Sequence, residues 1–237
     1  MIESLRVFRG RDYVINDGIR IRQPNIGEIE EYGEKKYFSL IRGLTATPAD
    51  RKVEIWDSLH VYWDTVDEYE LFASTFGIFQ NEDMSILFPG LDFTSFSRVI
   101  NPKTREVALI NKDGVCIDRA IYTLIVDYLR RVHQLKKNRE TGYNDITKDC
   151  MIEDDRLDYQ LAQNKPFMSA ILPFASYLAL GQRFSDIWEI PVGAFFYEMI
   201  RSQKVKNFEN LMHGVYSGCV DIKKVNKEDL NWLGEVQ

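Results

Sequence analysis

Cysteine is scarce in this chain of 237 residues, and its placement excludes more than its number does. Cys116, Cys150 and Cys219 form no C-x-x-C pair, so a zinc ribbon is excluded on spacing. An odd count, widely spaced, fits a reducing compartment better than a disulfide framework. Histidine is as rare. None of His60, His133 and His213 has a second histidine at ligand spacing. His133 reads as a surface or capping group at a basic helix end, and nothing nominates His213 as a base. The G-x-S-x-G elbow and the H-E-x-x-H pair are absent. Gly214 and Gly218 make a lone G-x-x-x-G with no Lys-Ser or Lys-Thr after it and no strand before it, so it reads as a helix end and a turn. Long hydrophobic runs are missing too. The longest candidate, residues 167–180, is broken by Ser and Pro and falls short of the roughly 20 residues a membrane helix needs. The opening residues, MIESLRVFRGRDYV, are charged throughout and lack the apolar stretch of a secretory signal. The expectation is a soluble protein with no catalytic residue, no cofactor, no metal and no membrane partner.

Positive charge is also in short supply. Thirty Lys and Arg stand against 36 Asp and Glu, a net charge of −6, which repels phosphate. One basic cluster exists, at Arg130, Arg131, Lys136, Lys137 and Arg139. It lies where a helix end favours cations and lacks interleaved aromatics to stack bases, which argues against nucleic acid. The acidic run Glu153, Asp154 and Asp155 is consecutive, so a helix spreads it around the circumference instead of gathering it into a cation site.

What the chain has is apolar bulk. Hydrophobic residues make up 45% and aromatics 13%, enough for a sizeable core. Leu5 to Ile21 alternate loosely around Asn16-Asp17-Gly18, which predicts an N-terminal hairpin over residues 4–22. Asn25, with Glu28 three residues on, signals a helix carrying Ile26, Ile29 and Tyr32 toward Tyr37, Phe38 and Ile41. Thr47-Pro48-Ala49-Asp50 signals a second helix. Thr65, with Glu68 in the box position, signals a third, stopped by Gly77.

Residues 92–117 read as a second small sheet, a hairpin or a meander, turned at Asn101-Pro102-Lys103 and at Asn111-Lys112-Asp113-Gly114. Asp118 caps the best helical pattern, Ile121 to Leu135. Residues 138–148 read as a loop, 150–163 as a charged helix and 166–180 as a buried helix bent at Pro173. Pro191 opens a helix with a stripe of Val192, Phe195, Phe196, Met199 and Ile200. Trp188 and Trp232 are expected to be buried anchors of this last stretch. The fold class is therefore α+β and mostly α-helical: a helical body with an N-terminal β-hairpin and a small central hairpin or meander. It divides as 1–117 and 118–237, or forms one continuous domain.

Three stretches carry a resemblance: DGIRIRQPNIGEIEEYG with EKKYF from Asp17, residues 117–135, and the closing run ending SGCVDIKKVNKEDLNW. Their order and character resemble tail assembly chaperones of tailed bacteriophages and prophages of Gram-positive bacteria. The resemblance implies a non-enzymatic viral protein of the host bacterial cytoplasm, whose partner is the phage tape measure protein or another tail protein. Self-association is compatible with it, and so is the alternative of a structural tail or connector component kept in the virion. Phe208, Leu211 and Met212 share a helix face at i, i+3 and i+4. With Tyr216 they are the candidate partner-binding residues, against the plainer reading that all four pack internally.

Overall fold

Short-range signals set the first elements of the chain. The computed structural model describes residues 4–100, 106–163 and 165–234. A helical turn, α1 (Ser4–Phe8), leads into an antiparallel hairpin of β1 (Tyr13–Asn16) and β2 (Ile19–Ile21). The hairpin thus begins at Tyr13 and not at residue 4. As a helical turn, residues 4–8 seat Val7 in the core and leave Leu5 in solvent.

Asn25 caps α2 (Ile26–Tyr32) in a complete capping box with Glu28. Arg22 pairs with the same carboxylate. The expected continuous helix breaks at Gly33, whose φ of 97° an L side chain resists. Then α3 (Glu34–Thr45) starts afresh. Thr47 and Asp50 form a second box over a 3-10 turn, Pro48–Arg51, that passes into α4 (Lys52–Leu59).

The next cap is Asp67 and not Thr65. Its carboxylate accepts from the Tyr69 and Glu70 N–H groups and opens α5 (Glu68–Thr75). Thr65 instead closes a 3-10 turn, Trp63–Thr65. Gly77 stops nothing, because the chain runs on as 3-10 helix Phe76–Asn81 with Phe76 and Phe79 both buried.

The central sheet is a meander of β3 (Ser97–Ile100), β4 (Val107–Ile110) and β5 (Cys116–Ile117), antiparallel throughout. The Asn111 side chain builds its second turn by accepting from the Asp113 and Val115 N–H groups. The expected turn at Asn101-Pro102-Lys103 lies outside the described residues.

Asp118 caps α6 (Arg119–Val132) through the Ile121 N–H, and α7 (Asp145–Gln163) follows, beginning within the expected loop. The expected buried helix over 166–180 is instead the short α8 (Leu172–Leu178). Ile171, Phe174 and Ala175 are buried, while Met168 and Leu180 are 83% and 85% exposed. Two more helices, α9 (Phe184–Trp188) and α10 (Val192–Tyr216), lead to the C-terminal residues. The architecture is α+β and mostly helical, with the hairpin and the meander as its two sheets.

Most buried side chains form one core with contributions from both sides of residue 117. Tyr122 of α6 stacks on Phe72 of α5 with ring centroids 4.4 Å apart, and Phe76 stacks on Phe93. The aromatic weight therefore sits in the middle of the chain, although the last fifty residues are also rich in aromatics. A separate small core of Ala49, Ile55, Trp63 and Ile152 fastens α7 to α4. Trp63 is the buried tryptophan, donating its indole N–H to Glu140 O at 2.9 Å. Trp188 is half-buried and Trp232 is 40% exposed, so Trp232 is not the anchor the sequence suggested.

Two groups expected at a solvated, basic helix end are in fact buried. Arg130 reaches Thr45 O at 2.7 Å and Glu68 at 2.6 Å, and Glu68 also pairs with Lys137. His133 sits between Leu129 O, 2.8 Å from Nδ1, and the Tyr37 hydroxyl, 2.7 Å from Nε2. A carbonyl only accepts, so Nδ1 carries the proton and Tyr37 donates to Nε2. Burial pushes the imidazole pKa down to about 4. The helix end turns inward because α3 and α5 supply the partners, a fact no local pattern carries.

Candidate partner-binding surface

The joint that seats α10 is built first from backbone. Ile26 N–H donates to Ile190 O and Val192 N–H to Pro24 O, both at 3.0 Å, tying the helix start to the chain just before α2. Pro191 is the residue that precedes the helix, with an extended backbone, and not a member of its first turn. Gln23 completes the joint. Its buried amide donates to Val7 O and to the Tyr128 hydroxyl, both at 3.0 Å, and accepts from Gly193 N–H at 3.2 Å. From this seat Phe195 meets Phe174 of α8 edge-on, and Phe196 meets Phe38 and His133.

Burial ends at Phe196. The helix has 25 residues, about 37 Å at 1.5 Å per residue, and only Val192 to Phe196 are fully buried. At about 100° per residue, Val192, Phe195, Phe196, Met199 and Ile200 share one face. Val205, Phe208, Leu211, Met212 and Val215 form a second stripe, rotated from the first by roughly 150°. So α10 is apolar on one side where it meets the body and on the other side where it leaves it.

The C-terminal residues return along this second half. After the turn at Gly218, Cys219 and Val220 N–H both donate to Gly214 O, at 2.9 and 3.0 Å. A dozen residues later, Arg201 donates to Trp232 O while its guanidinium lies over the Tyr197 ring. Phe208, Leu211 and Met212 fall between these two ties and are half-buried, whereas Tyr216 is 81% exposed. None of the four belongs to either buried core.

A second set of exposed apolar side chains, which sequence reasoning missed, lies on and around α8 and at the start of α9. Phe167, Met168, Leu172, Tyr177, Leu180 and Phe184 are all at least 41% exposed. Lys206 of α10 sits 4.1 Å above the Tyr177 ring, which places α8 against the middle of that helix. The sequence pattern had pointed the other way, to a buried helix over 166–180, because it does not show that the helix is only seven residues long.

The three histidines occupy three different settings. His60 ends α4 in a left-handed conformation, His133 is locked in the core, and His213 is exposed on α10. Among the described residues no group of three or more His, Cys, Asp or Glu side chains converges on a cation position. Asp155 and Glu153 of the acidic run diverge, the first to Lys52 and the second to Arg156. An open depression is lined by Asn25, Gly27, Glu28, Glu30, Glu31, Trp188 and Glu189. Its innermost carboxylate is already engaged: burial would raise the Glu28 pKa, but Arg22 and the Asn25 N–H outweigh that and lower it. Comparison with protein-family models, curated proteins and solved structures finds no match to this chain.

Proposed function

We propose that this protein is a non-enzymatic assembly chaperone that holds a helical client against apolar side chains beside and along α10. The observation that carries the reading is the exposure of six large apolar side chains between residues 167 and 184. Single apolar residues on a surface are ordinary, but six within 18 residues of chain concentrate apolar side chains where a partner can bind. An amphipathic client helix presents anchors at i, i+3, i+4 and i+7 and suits such a surface. The resemblance to tail assembly chaperones supplies the client: the tape measure protein of a tailed phage, covered in the host bacterial cytoplasm while the tail is built around it.

Co-expression with fragments of a tape measure protein tests this. Leu172→Ser with Leu180→Ser alters positions that are 64% and 85% exposed. The expected outcome is a variant that melts like the parent but leaves the client insoluble. A client kept soluble by the variant refutes the surface. Purified virions are expected to lack the protein, and its presence in stoichiometric amount assigns it to the finished tail instead.

A further inference from the structure

The helix α7 has two apolar faces, and only one of them is used. Its inner face holds Ile152, the one buried residue of the helix, against Ile55 and Trp63. A ring of polar contacts surrounds that plug. Lys52, itself buried, bridges Glu140 at 2.5 Å and Asp155 at 3.1 Å, Lys148 pairs with Asp64 at 2.6 Å, and Arg156 pairs with Asp57 at 2.8 Å. At about 100° per residue, Ile146, Cys150, Leu157 and Leu161 fall within an arc of roughly 60° on the far side from Ile152. Ile146, Leu157 and Leu161 are 76%, 56% and 63% exposed. Cys150, between them, is exposed as well.

Charge then says what fits that face. The helix carries six carboxylates against two cations, Lys148 and Arg156. It therefore holds four of the six net negative charges of the chain. Both cations are drawn inward by Asp64 and Asp57, so the outer face keeps only carboxylates. Asp154 and Asp158 border the apolar arc on one side and Glu153 on the other. Asp154 and Asp158 form no ion pair among the described residues. A second α7 laid along this face would set carboxylate against carboxylate, which opposes self-pairing. Like-charge repulsion and the exposed leucines point the same way.

We propose that the outer face of α7 is a docking surface for a basic amphipathic helix of another protein, one whose apolar stripe is bordered by Lys or Arg. The leucines supply burial and Asp154 and Asp158 supply orientation, so the pairing is selective for charge sign and weakens as salt rises. This proposal uses no residue of α8 or α10, and it holds or fails independently of the client proposed for them.

The test uses the full chain and two synthetic helical peptides, each of three heptads with leucine at the seam positions. One carries lysine on its flanks and the other glutamate. Fluorescence anisotropy is expected to show binding of the lysine peptide and not of the glutamate twin. Leu157→Ser with Leu161→Ser lowers that affinity by about tenfold or more, since two apolar anchors are lost. Asp154→Lys with Asp158→Lys transfers the preference to the glutamate peptide. Circular dichroism, with Ile152→Ala as the reference for a detached α7, shows that both variants keep the helix. Glu30→Lys with Glu31→Lys, an exposed acidic pair on α2, leaves binding unchanged. Three results overturn the proposal: equal binding of both peptides, an equal loss from the Glu30 and Glu31 changes, or a dimer through α7 that dissociates in Leu157→Ser with Leu161→Ser.

Discussion

Gly193→Ala is expected to destabilise this protein although alanine is the better helix former. A helical glycine replaced by alanine ordinarily gains about 1 kcal/mol. Here the new Cβ would press on the Gln23 Oε1 well inside van der Waals contact and stand 3.2 Å from both Gln23 Cδ and Val7 Cγ1. Gln23 cannot step aside cheaply, because its amide holds Val7 O, the Tyr128 hydroxyl and Gly193 N–H at once. Overpacking a closed site costs about 1–3 kcal/mol. Each hydrogen bond loosened adds about 0.5–1.5 kcal/mol. The clash wins, leaving a net loss of about 2 kcal/mol, or a Tm lower by roughly 4–8 °C for a chain of this size. Urea unfolding and calorimetry measure it. Gly77→Ala is the control, since a Cβ there meets nothing within 4 Å. In a Gln23→Ala background the Gly193→Ala change is expected to be neutral or stabilising, which a double-mutant cycle reads directly. Equal Tm shifts for Gly193→Ala and Gly77→Ala would refute the account of the joint.

Stability is expected to fall as pH drops from about 6.5 toward 4, because His133 stays neutral in the fold until its lowered pKa near 4 while the unfolded chain takes up a proton at 6.5. The gap corresponds to roughly 3 kcal/mol, and His133→Gln is expected to flatten that slope in pH-dependent urea titrations. Trp63→Ala is expected to cost about 3–5 kcal/mol and Trp232→Ala less than about 1 kcal/mol, since only the first side chain is buried; equal losses in thermal melts would contradict the burial. Phe208→Ser with Met212→Ser is expected to leave the melting of the body nearly unchanged, because neither residue belongs to a buried core, and an unfolded product would return both to the interior.

Sequence legibility followed the range of the interaction. Asn25 with Glu28, Thr47 with Asp50, and Asp118 were readable because a cap and its partner lie three residues apart. The turn at Asn111 was readable for the same reason. The Thr65 cap misread a choice between two neighbours, Thr65 and Asp67, that only the path of the chain decides. His133 and Arg130 could not be read. Their burial depends on Tyr37, Thr45 and Glu68, which lie 62 to 96 residues away. A basic residue near a helix end looks the same in sequence whether water or a distant carboxylate receives it.

The helix α10 separates these two kinds of information. Its first stripe, Val192 to Ile200, and its second, Val205 to Val215, are each plain in the sequence, and so is the rotation between them. A helix whose apolar side changes halfway cannot bury both stripes against one flat surface. One half must find other cover: a second layer of the same chain, or another molecule. Residues 219–232 are tied back to the helix at Gly214 and at Arg201, and Phe208, Leu211 and Met212 between those ties are half-buried. Pattern alone thus shows that the second stripe cannot share the cover of the first. The ties at Gly214 and Arg201 hold this chain's own C-terminal segment at both ends of that stretch. A client at that stripe would have to fit beside residues 219–232, tied to the same stretch of helix, whereas Leu172 and Leu180 are 64% and 85% exposed. The greater exposure of Leu172 and Leu180 favours α8 over the second stripe as the seat of the proposed client.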